Sequence, residues 1–123
     1  MLESEAKLKI QESVRSGEIE LVWSYILDFE KTKNPFRERR EQIKNWHTYA
    51  VEDVDESEEI VQRAEAMVAD GIGVLDALHL ACAVEAKADY FLTTDDGIME
   101  KHANIRGVKV TDPVGFIRKE NIR

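Results

Sequence analysis

The segment from Gly71 to Glu100 contains an apolar run that is too dense for a surface helix. Over about three helical turns, most positions are apolar or small. They are Val74, Leu75, Leu78, Leu80, Ala81, Ala83 and Val84. A helix that is hydrophobic on all sides is normally buried in a protein core. The sequence therefore predicts a buried helix here, with the other elements packed around it.

A short strand and a further helix are expected after this buried helix. The apolar run Tyr90–Leu92 ends in a polar set, Thr93, Thr94, Asp95 and Asp96. Such a set is typical of a strand that leads into a helix N-terminus. A helix from Ile98 to about His102 and a strand at residues 108–110 would follow. The resulting order of helix, strand, helix and strand predicts an α/β fold with parallel strands.

The remaining patterns predict further elements on both sides of this segment. Upstream, helices are expected at residues 2–16, 25–33, 37–46 and 57–70, with strands at 19–23 and 47–51. Ser24 and Ser57 stand where N-caps are expected, and the Asp70-Gly71 pair would end the fourth helix. A last turn or helix should begin at Pro113. At 123 residues the chain (1–123) fits a single domain.

Composition and charge limit the classes of function. There is no apolar run of about 18 residues and no signal-peptide pattern at the N-terminus, so we expect a cytoplasmic protein without a membrane span. The net charge of −8 argues against a nucleic-acid binder.

Charge is nevertheless unevenly distributed along the chain. A basic segment comprises Lys31, Lys33, Arg37, Arg39, Arg40 and Lys44, and an acidic block follows at residues 52–59. Either run can simply be a solvated helix face. The basic segment can alternatively bind a polyanion.

Several polar residues in the predicted core segment have both structural and chemical interpretations. Asp76 would lie in the first turn of the buried helix, where the helix dipole favours an acid, and Asp95 would cap the next helix. At the carboxyl edge of a parallel sheet the same acids could bind a ligand. His79 shares a helix face with Asp76, which would allow a metal-ligand or general-base role, but a hydrogen bond to a neighbouring acid is the expected one. The spacing of His47 and His102 indicates no partner, and Cys82 is expected to be a core residue.

Four features of the sequence, in their order and spacing, resemble the PIN domain, a small metal-dependent nuclease fold found in many VapC-type bacterial toxins. They are Ser24 with Glu30 six positions later, Asp76 in DALHLACA, Asp95 in TTDD, and the trailing VKVTDPVGFI. The resemblance implies a three-layer α/β/α fold with a small parallel sheet. It also implies that Glu30, Asp76 and Asp95 are catalytic carboxylates that hold Mg²⁺ or Mn²⁺ for RNA hydrolysis. Asp96 and Thr94 would be outer-shell residues.

The resemblance also implies partners. The protein would be a ribonuclease, the toxin of a toxin–antitoxin pair that a small antitoxin protein neutralises. RNA would reach the metal site along Lys31, Lys33, Arg37 and Arg40, which follow Glu30 closely in the sequence.

One departure from the family pattern qualifies this expectation. PIN domains usually open on a strand that ends in an Asp, and nothing before Leu2 in the sequence matches it. We therefore expect an N-terminally truncated domain with a gap in the sheet between the strand at 19–23 and the strand at 90–93. The alternative function is a catalytically inactive domain that binds a partner protein or a second copy of itself through the exposed strand edges.

Overall fold

The computed structural model describes residues 2–94, 96–101 and 105–122, with the side chain of Asp96 excepted. These residues form seven helices and four strands. In chain order they are α1 (Glu3–Ser16), β1 (Leu21–Ser24), α2 (Tyr25–Lys33), α3 (Arg37–His47), β2 (Ala50–Val54), α4 (Glu58–Ala69), α5 (Val74–Glu85), β3 (Tyr90–Leu92), α6 (Asp96–Lys101), β4 (Lys109–Thr111) and α7 (Pro113–Glu120). The predicted mixed α/β class is confirmed.

The strands pair in parallel, as the alternation of helices and strands predicted. β1 pairs with β2, and Trp23 lies opposite Asp53. β3 pairs with β4, and Phe91 lies opposite Val110. Among the described residues these are two separate two-stranded sheets, with no hydrogen-bonded pairing between β1 and β3. Each of these two strands therefore pairs along only one of its edges.

Helix α5 lies against both sheets and against α4, and the core is built around it. Its buried residues are Ala77, Leu80, Ala81 and Cys82. From α4, Ile60 and Ala64 are buried in the same cluster. This confirms the predicted core helix from Ala77 onward. The first turn differs from the prediction, because Val74 and Leu75 are exposed. The elements that pack on α5 cover its later turns only.

Two local predictions need correction. Ser24 occupies the N-cap position of α2, but its side chain makes no cap hydrogen bond. Its buried hydroxyl has no hydrogen-bond partner of ordinary geometry. In contrast, the Ser57 hydroxyl caps α4 by accepting a hydrogen bond from the Ile60 N–H at 3.2 Å. The strand expected at 47–51 lies instead at Ala50–Val54, because α3 continues through His47 and Val54 is the residue that enters the core.

The single cysteine, Cys82, is a buried core residue as predicted. Burial raises the pKa of its thiol from the ordinary value of 9.0 to about 11, and the nearby Ser24 hydroxyl lowers that pKa by a smaller amount. The folded state thus holds the thiol proton more tightly than the unfolded chain. The contribution of the protonated Cys82 thiol to the stability of the folded protein is therefore complete below about pH 9. It is lost as the pH rises through about 11.

At pH 8 we expect Cys82 in the folded protein to react with a thiol reagent at least about 100-fold more slowly than in the unfolded chain, because only the thiolate reacts. A chromogenic disulfide reagent, used with and without denaturant, measures the two rates. Similar rates in both conditions would contradict the buried, protonated state of this thiol.

The described helices include none that is both long and apolar enough to cross a lipid bilayer.

Candidate functional site

Helices α2 and α5 bring Glu30 and His79 together. The two residues are 49 positions apart in the sequence, and His79 Nε2 lies 2.8 Å from Glu30 Oε1. An ionised carboxylate can only accept a hydrogen bond, so the proton of this bond is on Nε2. The His79 side chain is mostly buried, whereas the Glu30 side chain is partly exposed. The pair fixes the Glu30 carboxylate beside α5 and leaves part of it open to solvent.

Asp76 lies one helical turn before His79 and therefore on the same face of α5. Its Oδ2 is close to the loop that precedes the helix, since a Cβ placed on Gly73 would lie 3.7 Å from that atom. Asp76 borders a small cavity of about 80 Å³ together with residues of α6, among them Gly97 and Ile98. Asp76 thus lies beside the start of α6, the segment that follows the polar residues after β3.

The carboxyl end of β3 lies next to the same part of α5. The Phe91 ring is 6.4 Å from the His79 ring, measured between centroids. Thr93 continues the pairing with β4 by donating its N–H to the Thr111 carbonyl at 3.0 Å. Thr94 follows and is exposed. Asp95 lies outside the described residues. Asp96 is the first residue of α6, and its side chain also lies outside the described part of the structure.

The carboxylate oxygens of Glu30 and Asp76 are suitable ligands for a hard divalent cation. Mg²⁺ and Mn²⁺ prefer carboxylate oxygens, and Mg²⁺ keeps several waters and needs few protein ligands. Within the described residues, no three His, Cys, Asp or Glu side chains are grouped closely enough to hold a metal ion. Glu30 and Asp76 fit such an ion in the chemistry of their oxygen donors.

Two residues of the basic segment lie close to Glu30 in space as well as in sequence. Lys31 and Lys33 end α2, while Arg37, Arg39, Arg40 and Lys44 lie on α3. Lys33 and Arg39 border an open cleft that also contains Glu30. We call this the aromatic cleft and define it by Phe29, Glu30, Lys33, Phe36, Arg39 and Leu75. Cationic side chains thus stand at the edge of a surface on which one proposed metal ligand is partly exposed.

A second cluster of polar residues was not expected from the sequence. His47, for which spacing indicated no partner, has its Nε2 2.9 Å from both carboxylate oxygens of Asp53. Its ring stacks on Trp23 with centroids 4.5 Å apart, and Trp23 Nε1 donates to Asp28 at 3.1 Å. The cluster depends on the register of β1 with β2, which places Trp23 opposite Asp53. A prediction of that register would have been needed to find it. The cluster joins the end of α3 to both strands of the first sheet. His102 lies outside the described residues.

The fold and the site define a mixed α/β protein in which a carboxylate–histidine pair links two helices near a basic surface. Comparisons of the chain with protein-family models, with curated proteins and with solved structures find no match.

Proposed function

We propose that this protein is a PIN-like, metal-dependent endoribonuclease. The observation that carries the proposal is the hydrogen bond between His79 and Glu30 at 2.8 Å. It ties a carboxylate from α2 to the turn of α5 that follows Asp76. Glu30 and Asp76 come from different helices, and the bond to His79 connects Glu30 to the helix that carries Asp76. Ordered convergence of acids from different elements is the arrangement that a cation-binding site needs.

Each group would have a defined task in this reaction. Glu30, Asp76 and Asp95 would hold Mg²⁺ or Mn²⁺, and the bound ion would polarise a phosphodiester and lower the pKa of a water molecule. His79 would orient the Glu30 carboxylate through its Nε2–H. Thr94 and Asp96 would be outer-shell residues at the end of β3. Lys31, Lys33, Arg37 and Arg40 would neutralise phosphates of the RNA and draw the strand toward the acids.

The arrangement of elements supports the same proposal. The helices and strands alternate along the chain as the local sequence patterns predicted, and the strands pair in parallel. In the described residues β1 and β3 belong to different sheets, and the expected sheet gap falls between these two strands. A toxin role with an antitoxin partner would follow from kinship to VapC-type toxins and is a further step of the proposal.

Metal removal tests the proposed activity. We expect a fluorescently labelled single-stranded RNA to be cut in the presence of Mg²⁺ or Mn²⁺, to remain intact in EDTA, and to be cut again when Mn²⁺ is restored in excess. Gel separation of the products measures cleavage. Equal cleavage in EDTA, or no cleavage with either ion, would refute the assignment.

The open strand edges favour a second candidate function, that of a protein-interaction domain. β1 and β3 each pair on one side only within the described residues, and unpaired strand edges are sites for the addition of a further strand. This function predicts a dimer, or a stable complex with an antitoxin-like protein, and no RNA cleavage. Light scattering coupled to size-exclusion chromatography measures the mass. A monomer that cleaves RNA would exclude this candidate in favour of the nuclease.

A further inference from the structure

The aromatic cleft is an apolar hollow in the surface of the protein. It lies between the end of α2, the loop at residues 34–36 and the first turn of α5, and its volume is about 450 Å³. Pockets for small ligands typically measure about 300–1,000 Å³. The cleft is therefore large enough to accept a planar group of a ligand. One end of it is formed by Glu30, a carboxylate of the proposed active site.

Two phenyl rings of the cleft are exposed to solvent. Phe36 is 65% exposed and Phe29 is 47% exposed. The Phe36 N–H donates to the Asn34 side-chain oxygen at 2.9 Å, and Arg40 Nη1 donates to the Asn34 carbonyl at 2.9 Å. These bonds tie the loop to α3, so the backbone that carries Phe36 is fixed while its ring remains uncovered. The ring is in position to contact a ligand without a large rearrangement.

Positive charge surrounds these rings. The Lys33 ammonium lies 5.3 Å from the centre of the Phe29 ring, and Arg39 borders the cleft on the α3 side. Lys31 and Arg37 are close in the chain. Because the whole protein carries a net charge of −8, this basic segment stands out as a surface for an anionic ligand. Aromatic rings beside a basic track are the usual means by which proteins bind single-stranded nucleic acid.

We propose that the aromatic cleft binds one nucleobase of single-stranded RNA, stacked on Phe36, with the adjoining phosphates on Lys33 and Arg39. This inference rests on the proposed ribonuclease function for the choice of RNA, and it adds the site that positions the strand. A base held in the cleft lies next to Glu30, so its neighbouring phosphodiester is brought to the proposed metal site. Stacking requires a base but no particular one, so the cleft confers a preference for unpaired RNA without strict sequence specificity.

The test measures RNA binding without cleavage. Fluorescence anisotropy of a labelled 12-nucleotide single-stranded RNA is recorded in EDTA for the wild type, Phe36→Ala, Phe36→Trp and Tyr49→Ala. Tyr49 is an aromatic residue outside the cleft and is 43% exposed. We expect Phe36→Ala to weaken binding about 5- to 100-fold, the range typical for loss of one stacked base, while Phe36→Trp and Tyr49→Ala bind like the wild type. Circular dichroism checks that each variant is folded.

An abasic RNA of the same length separates stacking from charge. We expect the wild type to bind it less tightly than the normal RNA, and Phe36→Ala to bind both alike. Equal binding of the two RNAs by the wild type, or equal binding by the wild type and Phe36→Ala, would overturn the inference. So would selective binding of an acidic peptide in place of RNA, or a change of oligomeric state in Phe36→Ala, since each assigns the cleft to a protein partner.

The outcomes also distinguish this inference from the proposed activity. Base-dependent binding in EDTA, without cleavage when Mg²⁺ or Mn²⁺ is added, supports the cleft and refutes the nuclease. Metal-dependent cleavage by a protein whose Phe36→Ala variant binds RNA normally supports the nuclease and refutes the cleft.

Discussion

Replacement of Leu80 by alanine is expected to lower the free energy of unfolding by about 2–5 kcal/mol. Leu80 is 0% exposed and lies in the middle of α5, within the cluster that also contains residues of α4 and of both sheets. Removal of its side chain takes away buried apolar contacts and leaves a cavity that the surrounding core fills only in part. Because native domains are stable by only about 5–15 kcal/mol, this single change removes a large share of the total.

Urea denaturation followed by circular dichroism measures this loss. Leu8→Ala is the matched control, since Leu8 lies on α1 and is 62% exposed. We expect its free energy of unfolding to stay within about 0.5 kcal/mol of the wild-type value. Equal destabilisation by the two substitutions would show that α5 is not the centre of the core.

The second large effect concerns the proposed chemistry. We expect Asp76→Asn and Glu30→Gln each to lower metal-dependent RNA cleavage by about 100-fold or more, equivalent to about 2.7 kcal/mol of transition-state stabilisation. Each substitution keeps the shape of the side chain and removes the negative charge that attracts the cation. Glutamine at position 30 can still accept the hydrogen bond from His79, so the packing of α2 on α5 should be retained.

The controls for this prediction are exposed acids away from the site. Asp55→Asn, before α4, and Glu65→Gln, on α4, change the charge of the protein by the same amount. We expect both to cleave RNA at the wild-type rate, and all four variants to unfold near the wild-type denaturant concentration. Full activity in both Asp76→Asn and Glu30→Gln would sink the assignment of these carboxylates, and it would indicate a contaminating nuclease.

Local patterns predicted the elements of this fold well. Helix α2 has the predicted bounds of 25–33, and β3 coincides with the run Tyr90–Leu92. The core role of α5 followed from the density of its apolar residues. These features depend on residues that are close together in the sequence. The sequence of one protein is therefore sufficient to predict them.

The contacts between distant segments could not be predicted in the same way. The bond between His79 and Glu30 depends on how α2 packs against α5, and the bonds of His47 depend on the register of β1 with β2. The exposure of Leu75 depends on which turns of α5 the other elements cover. Sequence analysis identified Asp76 and Glu30 as candidates through a resemblance, and it anticipated an acid partner for His79 without identifying Glu30. It missed the apolar cleft beside them altogether.

A calorimetric titration of the wild type with Mg²⁺ and Mn²⁺, beside the Asp76→Asn variant, tests whether the protein contains the proposed metal site. We expect the wild type to bind either ion at micromolar to low-millimolar concentration and the variant to show no binding in that range. Equal binding by the two proteins, or no binding by the wild type, would contradict a metal site built on Glu30 and Asp76.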